Sequence, residues 1–256
     1  MVTLAGQLWR CRSEGGVIEV PADGGPPDLE TALMVQQQAI ACSGMSSIGY
    51  KVGSTSKEAQ IVLNTKGPSA SPIISEYFFE SPATIKIHPV QDPAIEGEFA
   101  LRLCRDLPPR EAAYSLTEVI EAIDAVAGAI EIVGSRFAGG LAGKGPLLTA
   151  ADFGANIALA VGPWITDLQD LNLATHCVEV FIDGELREQG TGARALGNPF
   201  NVLKWLANNQ VETGQGLKAG EIISTGTCTG LLDVLPGNSV VAKFGLLGSV
   251  EIRFTQ

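Results

Sequence analysis

The stretch "PAIEGEFALRL", from Pro93 to Leu103, decides how the middle of the chain folds. Side chains alternate between the two faces of a β-strand, so Ile95 and Phe99 share one face while Glu96 and Glu98 share the other. Two carboxylates side by side repel each other and bring no stability of their own. One interpretation is a half-buried strand whose polar face is solvated. The alternative is that the two acids bind a cation.

A second carboxylate-bearing strand follows in "GAIEIVGSRF", residues 128–137. Its residues are apolar on both faces, which is typical of a strand buried on both sides, and Glu131 lies in its middle. A buried carboxylate is costly unless it is paired, protonated or bound to a cation. One alternative is a salt bridge to a distant Arg or Lys. The other is that Glu96, Glu98 and Glu131 face one point, a ligand set that suits Mg²⁺ or Mn²⁺ and leaves about three of six octahedral positions open.

Helix signals occur at three places in the rest of the chain. Residues 28–44 have helical apolar spacing and end in glycine. In "SLTEVIEAIDAVAGAI", Ser115 and Glu118 have capping-box spacing, and the apolar residues that follow predict one helix up to a strand at residue 129. The third signal is "NPFNVLKWLANNQ", residues 198–210.

Short strands dominate the remaining segments. In "VEVFIDGELRE", residues 178–188, Asp-Gly between two alternating runs predicts a hairpin. Many strands with few helices indicate an α+β protein with a mixed, β-roll or barrel-like sheet core and flanking helices. The expected organisation is an N-terminal α/β segment, residues 1–80, packed on a catalytic β-roll domain, residues 81–256, as one domain or two.

Composition excludes several classes of function. The chain has 256 residues, 45% of them hydrophobic and 18% charged, as in an ordinary globular protein. Its net charge of −11 argues against nucleic acid and against an anionic membrane surface as partners. The sequence has no secretory signal pattern, no long apolar span and no Cys-x-x-Cys pair, so we expect a cytoplasmic protein with free thiols. His88 and His176 have no metal-ligand spacing around them.

Six segments together are similar, in the same order, to the 2-keto-4-pentenoate hydratase group of the fumarylacetoacetate hydrolase superfamily. They are "GYKVGSTSK" at 49–57, "IEGEFAL" at 95–101, "AIEIVGSRF" at 129–137, "ADFGANIALAVGP" at 151–163, "GNPFNVLKWLAN" at 197–208 and "LKAGEIISTGTCTG" at 217–230. The resemblance implies a fumarylacetoacetate hydrolase-like fold and a homo-oligomer, a dimer or larger. It implies that Glu96, Glu98 and Glu131 bind Mg²⁺ or Mn²⁺. The motif lysine is Lys51, and the substrate-contacting threonine is Thr227.

The resemblance implies a lyase that hydrates a 2-hydroxy-2,4-dienoate, through its 2-oxo-3-enoate tautomer, to a 4-hydroxy-2-oxo acid. Lys51 is the candidate proton shuttle, with a surface lysine as the alternative. Asp152 is a candidate acid–base or hydrogen-bonding group, or a helix or turn cap. Arg136 is a candidate for binding the carboxylate of the substrate, or it is part of a structural ion pair.

The sequence leaves three other functions possible. They are decarboxylation of a 2-oxo-3-enedioate at the same site, hydrolysis of a carbon–carbon bond in an acylpyruvate, and a non-catalytic stabilising subunit. Ser69 and Gly134 stand where hydratases commonly have aspartate, which weakens the hydratase assignment specifically. The hydroxyls of Ser54, Thr55 and Ser56 bind an anion or cap the next helix, and capping is the favoured interpretation. "GGLAGKG", residues 139–145, lacks the spacing and hydroxyl of a phosphate-binding loop.

Overall fold

The structure is a computed structural model that describes residues 3–62, 64–169, 171–209 and 216–256. The helices within these residues are α1 (Leu4–Glu14), α2 (Leu29–Ser43), α3 (Lys57–Val62), α4 (Leu116–Ile120), α5 (Gly145–Ala151) and α6 (Pro199–Asn209). The strands are β1 (Ser47–Gly53), β2 (Ser69–Ile74), β3 (Phe78–Glu80), β4 (Ala83–Lys86), β5 (Ala94–Leu103), β6 (Ile123–Val133), β7 (Asn156–Val161), β8 (Cys177–Ile182), β9 (Glu185–Thr191), β10 (Ile222–Ser224), β11 (Leu232–Asp233), β12 (Ser239–Lys243) and β13 (Ser249–Thr255).

The strands form two mixed sheets, flanked by the helices. The larger has the order β2-β1-β10-β5-β6-β7-β3, with β11 pairing on β5, and the smaller has the order β4-β13-β12-β8-β9. Parallel pairs such as β1–β10 and antiparallel pairs such as β5–β6 occur in the same sheet. The predicted α+β class with a mixed, rolled sheet core and flanking helices is therefore confirmed.

The two sheets pack closely because small residues line their contact. A Cβ atom on Gly128 would lie 2.2 Å from the Phe244 ring, and one on Gly97 would lie 2.9 Å from a methyl group of Val178. The Phe99 and Phe244 rings meet edge to face, with centroids 5.7 Å apart. The long central strands β5 and β6 are thus covered by the second sheet on one face.

The helix predicted from residue 115 is too long. The Ser115–Glu118 capping box is present with both of its hydrogen bonds, but α4 ends at Ile120 and β6 begins at Ile123. Periodicity alone does not separate a buried helix from a strand buried on both faces. Here pairing with β5 along the whole length of β6, and with β7 from Ala129 to Val133, decides in favour of the strand.

Other local expectations agree with the structure. Helix α2 is capped by the Asp28 side chain and ends at Gly44 in the left-handed conformation. The predicted hairpin is β8–β9, with Asp183 and Gly184 both at positive φ in its two-residue turn. The solvated-face interpretation of β5 is wrong, because the Glu98 side chain is fully buried.

The proposed division at residue 80 stays a prediction. Strands β1 to β3 precede that residue, and they belong to the same sheet as β5, β6, β7 and β10, which follow it. Outside the sheets, α1, α2 and α5 share an apolar cluster around Leu8, Ala32 and Phe153. The N-terminal helices therefore pack on the body through a core of their own.

Candidate metal centre and cavity

Strand pairing brings the three predicted acids together. Glu96 on β5 stands directly opposite Glu131 on β6, and Glu98 lies two residues further along the same face of β5. One carboxylate oxygen from each residue lies within 4.8 Å of one from each of the others. Adjacent strands thus present three oxygen donors to one point, which is the arrangement expected from the sequence.

Glu98 is held on one of its two oxygens. The Ser224 hydroxyl and the backbone N–H of Gly226 both donate to Oε2, the latter over 3.0 Å. The backbone approaches this closely because residue 226 is glycine at φ 83°, where a Cβ atom would lie 2.2 Å from the Thr55 hydroxyl. The other oxygen, Oε1, is buried and has no hydrogen-bond partner among the described residues.

Glu131 is likewise held on only one of its two carboxylate oxygens. Its Oε1 accepts a hydrogen bond from the Asn156 side-chain amide at 2.9 Å and lies 3.5 Å from Nζ of Lys51. Its Oε2 is buried without a hydrogen-bond partner in the described part of the chain. Lys51 reaches this point past Gly154, where a Cβ atom would lie 2.8 Å from the Lys51 Cε.

The cluster carries three carboxylates against the single ammonium of Lys51. Burial, together with the charge of Glu131, raises the pKa of Glu96 to about 7, and Lys51 and the Thr227 hydroxyl oppose the shift. Burial and the charges of Glu131 and Glu96 raise the pKa of Glu98 well above its ordinary value. Two buried, unpartnered oxygens in an acidic cluster fit a hard divalent cation, which would neutralise the charge and accept both oxygens as ligands.

A cavity of about 200 Å³ opens beside the acids. Its wall includes three of the predicted residues, Lys51, Glu96 and Thr227, together with the apolar side chains of Val133 and Leu141. The volume is below the roughly 300–1,000 Å³ of pockets for drug-sized ligands, so a small molecule fits it best. An anionic group that chelates a cation at Glu96 would lie within reach of Lys51.

Arg136 and Asp152 lie outside the wall of this cavity. The Arg136 guanidinium is fully buried and bound to the Asp152 carboxylate, which also accepts the Arg136 backbone N–H at 2.9 Å. Asp152 additionally follows α5 as its C-terminal cap. Burial raises the Asp152 pKa against the opposing charge of Arg136. This geometry favours the ion-pair and capping alternatives over direct contact of either residue with a substrate.

Sequence reasoning did not single out Asn156 and Ser224, which fix the two buried acids. A signal existed for Asn156, since it is the one polar residue at the start of the otherwise apolar strand β7. Ser224 lies on β10 in register with Lys51 on β1, and β10 separates β1 from β5. Only the sheet order brings Ser224 to Glu98, and the sequence does not reveal that order.

Neither histidine contributes to the cavity wall. The His176 ring contacts the backbone oxygen of Phe244 at 2.6 Å and meets the Phe99 ring edge-on. His88 packs against Gly15, where a Cβ atom would collide with the imidazole ring. Within the residues that the structure describes, there is also no helix with the length and apolarity to cross a membrane.

Curated relatives match nearly the full chain. The 2-keto-4-pentenoate hydratase of Burkholderia vietnamiensis is 27% identical over 260 aligned residues, covering 100% of this chain and 98% of the relative. The 2-keto-4-pentenoate hydratase of Paraburkholderia xenovorans is 30% identical over 211 residues, covering 82% of this chain and 77% of the relative.

A solved structure has the same architecture. The 4-oxalocrotonate decarboxylase from Pseudomonas putida G7, complexed with magnesium and adipate, superposes with a TM-score of 0.89 at 26% identity, covering 98% of this chain and 95% of that one. The family model described as fumarylacetoacetate (FAA) hydrolase C-terminal matches residues 48–255, which include every predicted site residue. With this match over most of its length, the chain belongs to the fumarylacetoacetate hydrolase family.

Proposed function

We propose that the protein is a divalent-metal-dependent lyase that hydrates a 2-hydroxy-2,4-dienoate, through its 2-oxo-3-enoate tautomer, to a 4-hydroxy-2-oxo acid. One observation carries the proposal. Glu96, Glu98 and Glu131 converge beside a small cavity, and two of their buried oxygens lack any partner in the described structure. The relatives named as hydratases support hydration, and the magnesium-bound solved relative supports dependence on a divalent metal.

Glu96, Glu98 and Glu131 would hold Mg²⁺ or Mn²⁺. When bound, the cation supplies Lewis-acid stabilisation of the negative charge that develops on the substrate's C2 oxygen. Ser224, Gly226 and Asn156 keep the acids in place by occupying the other carboxylate oxygens. These fixed hydrogen bonds orient the ligands before substrate arrives.

Lys51 is the proposed proton carrier. Its Nζ lies beside Glu131 in the cavity wall, where the ammonium can deliver a proton to C5 and the resulting amine can take the proton from the C2 hydroxyl. The resulting 2-oxo-3-enoate then accepts the oxygen of water at C4 and hydrogen at C3. Thr227 also lines the cavity, and its hydroxyl is the proposed contact to the substrate.

The Arg136–Asp152 pair has a positioning role in this proposal. Arg136 Nη1 donates to the backbone oxygen of Asn156 at 3.0 Å, and the side chain of Asn156 holds Glu131. The buried ion pair thus fixes the residue that orients a metal ligand.

Decarboxylation of a 2-oxo-3-enedioate is the second candidate, because two positions lack the aspartate that hydratases commonly have. Ser69 begins β2 and is exposed, and a Cβ atom on Gly134 would lie 2.7 Å from the Ile157 side chain and 2.8 Å from the Gln91 backbone oxygen. An aspartate at position 134 would therefore require the backbone to move. The solved relative with the same architecture is a decarboxylase.

The test is incubation of the purified protein with 2-hydroxypenta-2,4-dienoate, with a 2-oxo-3-enedioate and with an acylpyruvate in separate reactions, each with Mg²⁺, with Mn²⁺ and with a chelator. Metal-dependent loss of the dienol absorbance with formation of a 4-hydroxy-2-oxo acid supports hydration. Release of carbon dioxide from the diacid, without a hydrated product from either acid, supports the second candidate. Cleavage of an acylpyruvate instead indicates the hydrolase, and metal binding without turnover of any of these acids refutes the lyase proposal.

A further inference from the structure

We propose that Arg194, with the hydroxyls of Ser54 and Thr55, forms a subsite for a second carboxylate at the far end of the substrate. The ligand class is then a diacid, with a 2-oxo or 2-hydroxy acid group at one end and a carboxylate at the other. This inference deepens the proposed function and rests on it, because it assigns the acid group that chelates the cation to the Glu96 side of the cavity.

Arg194 is an exposed cation in the cavity wall, and no acid among the described residues forms an ion pair with it. Its Nη1 donates to the backbone oxygen of Thr229 at 2.6 Å, which fixes the side chain in place. Nε and Nη2 make no hydrogen bond within the described residues, and Arg194 forms no ion pair there. The planar guanidinium therefore retains donors that suit the two oxygens of a carboxylate.

Two hydroxyls in the wall of the same cavity have no hydrogen-bond partner among the described residues. Ser54 and Thr55 line the same cavity, are only 4% and 3% exposed, and their side-chain oxygens form no hydrogen bond among the described residues. A buried hydroxyl without a partner costs free energy, so such a group is expected to meet a ligand. Ser56 differs, since its hydroxyl accepts the Ala59 N–H at the start of α3. Capping, the favoured interpretation of all three, holds for Ser56 alone.

Arg194 and Thr55 stand where the cavity beside the acids meets a second cavity of about 310 Å³, because both residues line both spaces. Lys51 and Glu96 line the first space only. A ligand with its chelating end at Glu96 would therefore extend its other end toward Arg194. Glu58 also lines this junction, but it forms no ion pair with Arg194 in the described structure.

A diacid matches these groups better than a monoacid does. The apolar end of a monoacid would cover the guanidinium and the two hydroxyls and offer them no acceptor. Sites built to hydrogen-bond a polar group reject analogues that lack it, for the same reason. The subsite does not choose between hydration and decarboxylation, since either reaction can act on an unsaturated diacid.

The test compares two inert acids that share the chelating end and differ at the other: 2-oxoadipate and 2-oxohexanoate. Their affinities are measured by calorimetry in the presence of Mg²⁺ for the wild type and for Arg194→Ala, Arg194→Lys and Thr55→Val. We expect the wild type to bind the diacid about 10-fold to 100-fold more tightly. Arg194→Ala is expected to reduce this ratio to about threefold or less, and Thr55→Val and Arg194→Lys to reduce it partly.

Arg187→Ala is the matched control, because Arg187 is an exposed arginine on β9 outside both cavity walls, and its loss should leave the ratio unchanged. Equal binding of the two acids by the wild type, no binding of either, or an undiminished ratio in Arg194→Ala overturns the proposal. Turnover assays with both the dienol and the 2-oxo-3-enedioate separate this result from the reaction. If the protein prefers the diacid through Arg194 but turns over no acid, the lyase proposal is refuted and the subsite is retained. If it turns over an acid without that preference, the lyase proposal is retained and the subsite is refuted.

Discussion

At the residue scale, the sequence reveals the acids but not what holds them. Glu131 in an apolar strand and the Glu96–Glu98 pair are visible because a buried or repelling carboxylate needs a reason. Their partners, Asn156 and Ser224, are ordinary polar residues in the sequence. Their role is recognised only from the hydrogen bonds that they make to Glu131 and Glu98, which are distant in the chain. The acidic end of the site was therefore predictable, and its supporting hydrogen bonds were not.

Replacing Glu131 with glutamine is expected to weaken Mn²⁺ binding by more than about 100-fold, beyond the 10-fold to 100-fold typical of residues that only support a ligand. The substitution keeps the shape of the side chain and removes the charge that a cation needs. Calorimetric titration with Mn²⁺ measures the affinity, and circular dichroism checks the fold. Glu251→Gln, at an exposed position on β13, is the control. Unchanged affinity in Glu131→Gln would remove this residue from the metal centre.

The acids also predict how stability depends on pH in the metal-free protein. Burial and Glu131 raise the Glu96 pKa from 4.5 to about 7, so folding favours the protonated acid. The free energy that Glu96 contributes to folding is fully present at a pH below its pKa in the unfolded chain. It is lost as the pH rises through the pKa of Glu96 in the folded protein. The Tm of the metal-free protein should therefore fall between about pH 5 and pH 8, and added Mn²⁺ should raise it most at the upper end.

Glu96→Gln isolates the contribution of this acid to that pH dependence. The variant cannot titrate at position 96, so its Tm should fall less over the same range than that of the wild type. Parallel curves for the two proteins, measured by differential scanning calorimetry without metal, would contradict the assignment.

At the element scale, the long strand β6 and the short helix α4 show where local pattern misleads. The capping box correctly starts a helix at Ser115, yet pairing with β5 takes the chain into β6 from Ile123. The β8–β9 hairpin was predictable because Asp-Gly encodes its turn locally. Local chemistry thus predicts where elements begin and turn, while the sheet decides how far each extends.

Helix α1 lies before residue 48, where the family model begins, yet it reaches the site. Its Arg12 is buried, donates to the Asn156 side chain at 3.1 Å and to the Ile157 backbone at 3.0 Å, and stacks over the ring of Tyr77. Burial, followed by the charge of Arg136, lowers the pKa of Arg12 to about 9. The N-terminal segment therefore supports Glu131 through Asn156.

Arg12→Lys tests this support. Lysine lacks the planar fork that contacts two acceptors at once, so we expect Mn²⁺ affinity to fall about 10-fold to 100-fold. The free energy of unfolding should fall by about 1.5–3 kcal/mol. Arg10→Lys, at an exposed position on the same helix, serves as the control in both titrations. Loss of stability with full metal affinity would limit Arg12 to a structural role.

At the scale of the whole molecule, the fold class followed from the balance of strands and helices, whereas the arrangement of two sheets did not. The strand order places β10, late in the chain, between β1 and β5, a pairing that no local signal encodes. The sequence likewise does not show which residues pack against Gly97 and Gly128 at the contact between the sheets. A homo-oligomer, implied by the resemblance, stays a prediction.

Gly128→Ala is expected to lower the free energy of unfolding by about 1–3 kcal/mol, because the added methyl group would fall 2.2 Å from the Phe244 ring. Urea denaturation measures the change. Gly67→Ala is the matched control, since a Cβ atom at Gly67 meets nothing within 4 Å. Adding Phe244→Leu should recover part of the loss in a double-mutant cycle. Additive effects of the two substitutions would indicate that the sheets do not meet at this point.

The direct pairing of Glu96 with Glu131 makes cation binding a reporter of correct folding. Shifting β6 against β5 by one position would exchange the faces of every side chain on β6, and because the residues around Glu131 are apolar on both faces, apolar residues would still fill both sides. Such a misaligned product would be compact yet would have no set of converging acids. Recovery of Mn²⁺ affinity during refolding therefore counts the molecules whose central strands have aligned correctly, which compactness alone does not.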